Sequence, residues 1–120
     1  MTLHTPHQLG KSGEIAAVKF LIESDYAILA RNWRGTHGEI DIIALGKGEE
    51  IIFVEVKTRS TARYGDPFEA ITPEKYRRIF RLAREWIALH HPNSPWRIDV
   101  ILLMKSVSGF ELVHHVGLIA

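Results

Sequence analysis

The 120-residue chain contains no cysteine, which excludes a disulfide framework and a zinc site with thiolate ligands. No apolar run approaches the roughly 20 residues that span a bilayer. The first residues also lack the basic and apolar regions of a signal peptide. A formal net charge of only +1 is far from the balance that by itself indicates nucleic-acid binding. These absences predict a cytoplasmic protein without a membrane partner.

The composition is that of a folded protein with one core. Hydrophobic residues make up 46% of the chain and charged residues 24%, values typical of globular domains. The length suits one core and is too short for two. We therefore expect a single domain over residues 10–120, preceded by a flexible arm at residues 1–9.

Hydrophobic periodicity predicts a helix, three strands, a second helix and two more strands. The helices are expected from Ser12 to Ser24 and from Thr72 to His90. The strands are expected at Tyr26–Trp33, Glu39–Leu45, Glu50–Lys57, Trp96–Met104 and Phe110–Val116. This order predicts an α/β fold whose mixed sheet combines antiparallel hairpins with a crossover through the second helix.

Charged residues interrupt two of the apolar strands. Side chains alternate across a strand, so Glu55 and Lys57 should project from the same face. Asp41, on the preceding strand, lies where an interior residue is expected. The opposite face of its strand should carry an apolar row of Ile40, Ile42 and Ala44.

The hairpin loop decides whether Asp41 and Glu55 meet. A three-residue loop within Gly46 to Glu49 would place Asp41 opposite or diagonal to Glu55. A loop of two or four residues would put them on opposite faces. The functional interpretation therefore predicts an odd loop or a bulge.

Two adjacent carboxylates repel each other unless a cation or a hydrogen-bond network holds both ionised. Oxygen ligands suit Mg²⁺ or Mn²⁺, so we predict a metal site formed by Asp41, Glu55 and the backbone carbonyl of Val56. Lys57 would position a water or neutralise a developing phosphorane. Glu14, on the apolar stripe of the first helix, would complete a catalytic set.

Each of these residues also has a purely structural interpretation. Glu14 is equally well explained as a negative charge near a helix N-terminus. The Glu55 to Lys57 segment, taken alone, fits an exposed, ion-paired strand end better than a catalytic motif. Once Asp41 is included, however, the purely structural interpretation requires three separate coincidences. The combination therefore favours a functional site.

Sequence motifs extend over most of the chain between Gly10 and Val100. They are Gly10-x-x-Gly13-Glu14, Arg31-Asn32, Gly38 to Asp41, Phe53 to Arg59, Gly65 to Pro67, Thr72 to Arg78, and Arg97 to Val100. On these segments the sequence resembles the YraN-like uncharacterised protein family (uncharacterised protein family 0102) and, more broadly, the PD-(D/E)XK nuclease superfamily. The resemblance implies a restriction-endonuclease-like three-layer α/β/α core.

The resemblance also implies roles for single residues, as in archaeal Holliday junction resolvases. Asp41 and Glu55 would bind the metal, Lys57 would assist the nucleophile, and Glu14 would be an auxiliary acid. The implied activity is hydrolysis of phosphodiester bonds in DNA, including branched or structured DNA in repair or recombination. Symmetric junction cutting would require a homodimer, for which the terminal hairpin or the arm offers an edge.

The alternative is a non-catalytic nucleic-acid-binding module on the same fold. Intact acids and a lysine favour the enzyme, because clustered carboxylates repel phosphate. Basic residues near the site are expected to contact the phosphate backbone: Arg31, Arg34, Arg59, Arg63 and Lys75.

Other polar and aromatic residues have weaker functional interpretations. Arg81 and Arg84 fit a solvated helix face slightly better than a phosphate site. Trp33 fits a tryptophan that caps the core better than one that stacks on a base. The adjacent histidines of the pairs His90-His91 and His114-His115 diverge, so we predict surface residues rather than metal ligands.

Overall fold

A computed structural model describes residues 5–60 and 71–118, in which two helices and five strands follow one another in the predicted order. The elements are α1 (Pro6–Glu23), β1 (Ala27–Gly35), β2 (Gly38–Leu45), β3 (Ile51–Arg59), α2 (Pro73–His90), β4 (Trp96–Ser106) and β5 (Gly109–His115). The predicted α/β class is confirmed. Neither helix is long and apolar enough to cross a membrane.

Helix α1 begins at Pro6 rather than near Ser12. The Thr5 hydroxyl accepts a hydrogen bond from the Gln8 backbone N–H (3.1 Å), and the Gln8 side chain accepts one from the Thr5 N–H (2.9 Å). This reciprocal cap satisfies two backbone donors that a helix start leaves unpaired. Residues 6–9, assigned to a flexible arm from their polarity, are therefore helical; residues 1–4 lie outside the description.

The strands form one mixed sheet in the order β1-β2-β3-β4-β5. Neighbouring strands are antiparallel except β3 and β4, which are parallel and are joined through α2. A parallel pair needs such a long crossover because its strands run in the same direction. The predicted mixed sheet is confirmed.

One helix covers each face of the sheet. Helix α2 packs Ile79, Leu82 and Trp86 on Ile43 and Phe53. On the opposite face α1 packs Ala17 and Leu21 against Ile42, Ala44, Ile52 and Val54. The result is three layers, with the central strands β2 and β3 buried on both faces.

The loop between β2 and β3 has the odd length that the functional interpretation requires. Gly46 donates its backbone N–H to the carbonyl of Glu50 (2.8 Å), which closes a turn over residues 47–49. Glu49 adopts a positive φ of 62°, as is common at the last position of a three-residue hairpin loop. The register pairs Leu45 with Ile51. Within the paired residues, odd-numbered side chains of β2 therefore share a face with odd-numbered side chains of β3.

The expected apolar row on β2 is partly wrong. Ile42 and Ala44 pack toward α1, but Ile40 joins Ile43 in the cluster under α2. Strict alternation therefore breaks between Ile40 and Ile42, at Asp41. The pairing of β2 with β3 ends at the same place, since Ile42 and Val54 form its last pair.

Candidate metal centre

Asp41 lies where β2 and β3 separate. Its Oδ2 accepts a hydrogen bond from the backbone N–H of Val56 (2.8 Å). The Asp41 side chain thus takes the place of the backbone carbonyl that would pair with Val56 if the two strands continued side by side. Burial raises the pKa of this carboxyl, and the charge of Glu39 adds to the rise. The Val56 hydrogen bond and the charges of Lys75 and Lys57 lower it only in part. Asp41 is thus a half-buried acid whose burial is only partly offset by its partners.

Glu55 follows on β3, and only 12% of its side chain is exposed. Burial, followed by the charge of Asp41, raises its pKa from 4.5 to about 7. Lys75, in the first turn of α2, places its Nζ 3.3 Å from Glu55 Oε1 and offsets part of this rise. Arg78, one helical turn later, lowers the Glu55 pKa further.

Glu14 reaches the same place from α1. Its pKa is raised by burial and then by the charge of Asp41, while the charge of Arg31 lowers it. Its Oε1 is buried and has no hydrogen-bond partner within residues 5–60 and 71–118. Asp41 is therefore close enough to both Glu14 and Glu55 for its charge to raise the pKa of each glutamate.

The close approach of α1 depends on a glycine. A Cβ atom on Gly13 would lie 1.9 Å from the Oγ1 of Thr58 on β3, far inside van der Waals contact. The glycine lets the helix backbone rest directly on the sheet. It thereby brings the following residue, Glu14, to the carboxylates of β2 and β3.

Lys57 completes the group. It lies two residues beyond Glu55 on β3, and its charge is close enough to lower the pKa of Asp41. The four side chains that the sequence nominated, Glu14, Asp41, Glu55 and Lys57, are thus brought together from three elements. We call them the acidic cluster.

The donor types of the acidic cluster fit a hard divalent cation. Asp41 and Glu55 offer carboxylate oxygens, and the Val56 carbonyl belongs to the residue that Asp41 already contacts. Within residues 5–60 and 71–118, the Glu14 Oε1 has no partner and the pKa values of all three acids are raised, so the cations described there only partly offset the cost of ionising these acids. Among the described residues, however, no three His, Cys, Asp or Glu side chains form a group that could hold a metal.

The sequence of residues 13–103 matches the family described as Uncharacterised protein family UPF0102. The chain belongs to this family. A UPF0102 protein of Chlorobium phaeobacteroides is 49% identical over 116 residues, covering 91% of each chain. A UPF0102 protein of Leifsonia xyli is 45% identical over 109 residues, covering 90% of this chain and 92% of the relative. The family named from sequence motifs is confirmed.

A solved structure with some likeness is that of Pyrococcus furiosus SfsA in complex with Ca²⁺. The two share 14% identity with a TM-score of 0.43, and the match covers 87% of this chain. This chain spans only 62% of the length of that one. A TM-score of this size does not establish a common fold.

The basic residues expected to bind phosphate have different surroundings in this UPF0102 protein. Arg31 is exposed and close enough to Glu14 to lower its pKa. Arg34 pairs with Glu39 at 3.5 Å, and Lys75 pairs with Glu55. The Arg59 Nε is buried without a partner in the described part of the chain. Arg63 and the Gly65 to Pro67 motif lie outside the described residues.

Several side chains with weaker functional interpretations turn out to be structural. Trp33 is half-buried and packs against the cluster under α2, as expected of a tryptophan that caps the core. His90 stacks on Trp86 with ring centroids 4.5 Å apart, and its Nδ1 hydrogen-bonds the Trp86 carbonyl. His91 stacks on the same indole at 5.4 Å.

His114 is not the surface residue that the sequence suggested. Its Nε2 is 2.8 Å from Oδ2 of Asp99, which is fully buried. Arg97 Nε and the Gly117 N–H both donate to Asp99 Oδ1 at 2.9 Å. Burial alone would raise the Asp99 pKa, but the hydrogen bonds from His114, Arg97 and Gly117 outweigh it and the pKa is lowered. Sequence reasoning missed this network; its only sequence signal is an aspartate within the apolar run of β4.

Proposed function

We propose that this UPF0102 protein is a metal-dependent endonuclease with a restriction-endonuclease-like core of the PD-(D/E)XK type, hydrolysing phosphodiester bonds in DNA. One observation carries the proposal: the carboxylates of Glu14, Asp41 and Glu55, from α1, β2 and β3, all have raised pKa values, and the charge of Asp41 contributes to the rise of both glutamates. Such an arrangement is unfavourable for folding unless a ligand uses it.

The carboxylate oxygens of Asp41 and Glu55 and the carbonyl oxygen of Val56 would hold Mg²⁺ or Mn²⁺. The bound ion would lower the pKa of a water and neutralise charge on the phosphate. The protein's contribution is to keep these oxygens in place, through the Val56 to Asp41 hydrogen bond and the Lys75 to Glu55 ion pair.

The remaining residues have separate roles in hydrolysis. Water attacks the phosphorus atom, a P–O bond to this oxygen forms, and the P–O bond to the leaving sugar oxygen breaks. The Lys57 ammonium would orient this water or stabilise the extra charge on the phosphate oxygens. Glu14, with its unpartnered Oε1, is the carboxylate available to take the proton released by water.

The test is cleavage of labelled duplex, single-stranded, flap and four-way-junction DNA with Mg²⁺ or Mn²⁺. Asp41→Asn and Lys57→Met should abolish cutting because they remove the metal ligand and the ammonium without changing side-chain size much. Lys105→Met, on β4, is the matched control for the lysine and should cut like the wild type. The substrate that is cut fastest identifies the preferred DNA shape.

Failure of this test has a clear form. If the wild type binds these DNAs but does not cut any of them with either metal, and both variants bind equally well, the catalytic proposal is wrong. The non-catalytic binding module then becomes the better account. Cutting that survives in both variants would instead point to a contaminating nuclease.

A further inference from the structure

The outer face of α2 carries an aromatic residue that the core does not cover. Phe80 is 38% exposed, although its ring lies 5.2 Å from that of Trp96 and 6.1 Å from that of Tyr76. Tyr76, Phe80 and two exposed arginines, Arg77 and Arg81, line an open cleft of about 480 Å³. We call this surface the aromatic cleft.

The aromatic cleft has a marked positive charge. Arg77 and Arg81 form no ion pair with any carboxylate in residues 5–60 or 71–118, although Glu74 lies on the same helix. A helix face that serves only for solubility usually mixes both charge signs in neighbouring turns. Arginines that pair with no carboxylate in the described part of the chain, placed around an exposed ring, instead suit an anionic ligand with flat groups.

The cleft also continues toward the acidic cluster. Arg81 borders a second depression together with Lys75, Arg78 and one acid, Glu74. Lys75 contacts Glu55, and Arg78 acts on the same carboxyl. Three basic residues against one acid therefore give a net positive path along the first turns of α2, from Phe80 to the proposed centre.

We infer that the aromatic cleft binds unpaired nucleotides of the nucleic-acid substrate, with a base stacked on Phe80 and phosphates on Arg77 and Arg81. The ligand class rests on the proposed function, whereas the unpaired state follows from the exposed ring. Base faces are accessible in single strands and hidden in a duplex, and stacking on aromatic side chains tolerates any base. The substrate is thus a nucleic acid with a single-stranded segment next to the cleavage point.

The test measures binding without divalent metal, so that cleavage plays no part. Fluorescence anisotropy compares a short labelled oligothymidylate with a duplex of the same length. Phe80→Leu, which keeps an apolar side chain but loses the ring, should weaken single-strand binding about fivefold or more. Phe80→Trp should retain it. Leu89→Ala, another exposed apolar residue of α2, is the control and should bind like the wild type.

The arginines are tested through salt dependence. Arg81→Gln should reduce the slope of log affinity against log salt concentration by about 0.7, the amount expected for one lost phosphate contact with a single strand. Arg84→Gln, one turn further along α2 and outside the cleft, should leave the slope unchanged. Circular dichroism of each variant excludes loss of fold as the cause.

Two results would overturn the inference. One is equal affinity for single-stranded and duplex DNA with no effect of Phe80→Leu. The other is a wild-type dimer in sedimentation that Phe80→Leu dissociates without changing DNA binding, which would make the cleft a contact between two copies of the chain. Stacking on Phe80 without any metal-dependent cutting would retain this inference while rejecting the nuclease.

Discussion

Asp41 and Asp99 are both aspartates of the central sheet, but their surroundings move their pKa values in opposite directions. The carboxylate of Asp99 receives hydrogen bonds from Arg97, His114 and the Gly117 backbone, and its pKa is lowered. Asp41 receives one backbone hydrogen bond and lies beside two other acids, and its pKa is raised.

The difference separates an acid that stabilises the fold from acids that, on the proposed function, serve a ligand. The Asp99 network joins β4 to β5 and to the residues after it, and every charge in it has a partner. The acidic cluster lowers stability instead, because burial and mutual repulsion both oppose ionisation. A protein retains such a cluster when something bound to it restores the balance.

The largest effect is expected from Asp99→Asn. The variant takes the buried charge away from Arg97, His114 and the Gly117 N–H. Arg97 keeps its ion pair with Glu50, so we expect a cost of about 3 kcal/mol, the lower end for breaking a buried ion pair. The free energy of unfolding from urea titration should fall by this amount. Asp41→Asn should change it by less than about 1 kcal/mol or raise it, since the neutral side chain removes repulsion. Equal losses in both variants would contradict the distinction between the two groups.

Glu14→Gln should separate catalysis from folding. We expect DNA cleavage to fall about 100-fold, the smaller end of general acid–base contributions, with the unfolding free energy maintained or raised. Glu23→Gln, an exposed acid near the end of the same helix, is the matched control and should leave both quantities unchanged. A loss of cleavage in both variants would indicate a general effect of charge on DNA binding.

Glu55 of the acidic cluster and Asp99 should change the free energy of unfolding with pH in opposite directions. Between about pH 4.5 and 7 the folded protein holds a proton on Glu55 that the unfolded chain has released. The unfolding free energy should therefore decrease as the pH rises through this range, by an amount on the order of 1–3 kcal/mol. Glu55→Gln should make this decrease smaller in urea titrations, and the part that remains comes from the raised pKa values of Asp41 and Glu14.

The contribution of Asp99 lies at lower pH. Because its folded pKa is below the ordinary 3.8, its stabilisation is complete above that value and is lost as the pH falls through the folded pKa. Glu55→Gln should leave this acid-induced loss intact. A profile in which Glu55→Gln behaves like the wild type from pH 4.5 to 7 would reject the raised Glu55 pKa.

The smallest expected effect is the response to metal. Mn²⁺ at about ten times its dissociation constant should stabilise the folded protein by about 1.4 kcal/mol, seen as a higher melting temperature. The double variant Asp41→Asn, Glu55→Gln should lose this response. Lys57→Met should keep it, because the lysine is not a ligand. An unchanged response in the double variant would place metal binding elsewhere.

Helix and strand order could be read from the chain, because local periodicity reports which face of each element is buried. The start of α1 could not, since its cap at Thr5 and Gln8 precedes the apolar stripe. The site was nominated from Asp41, Glu55 and Lys57, whose polarity conflicts with buried strands. The Asp99 network was missed because His114 lies on another strand and looks ordinary by itself.

The amino-acid sequence alone determined the α/β class and the order of the elements, because these depend on periodicity within short segments. It also nominated the four residues of the acidic cluster, but it left the length of the hairpin turn open. Only the tertiary structure decided that Asp41 interrupts the strand ladder to hold Val56, and that Lys75 pairs with Glu55. It alone also set the pKa directions. The reason is physical: ionisation depends on burial and on charges from distant elements, and neither is a property of the local sequence.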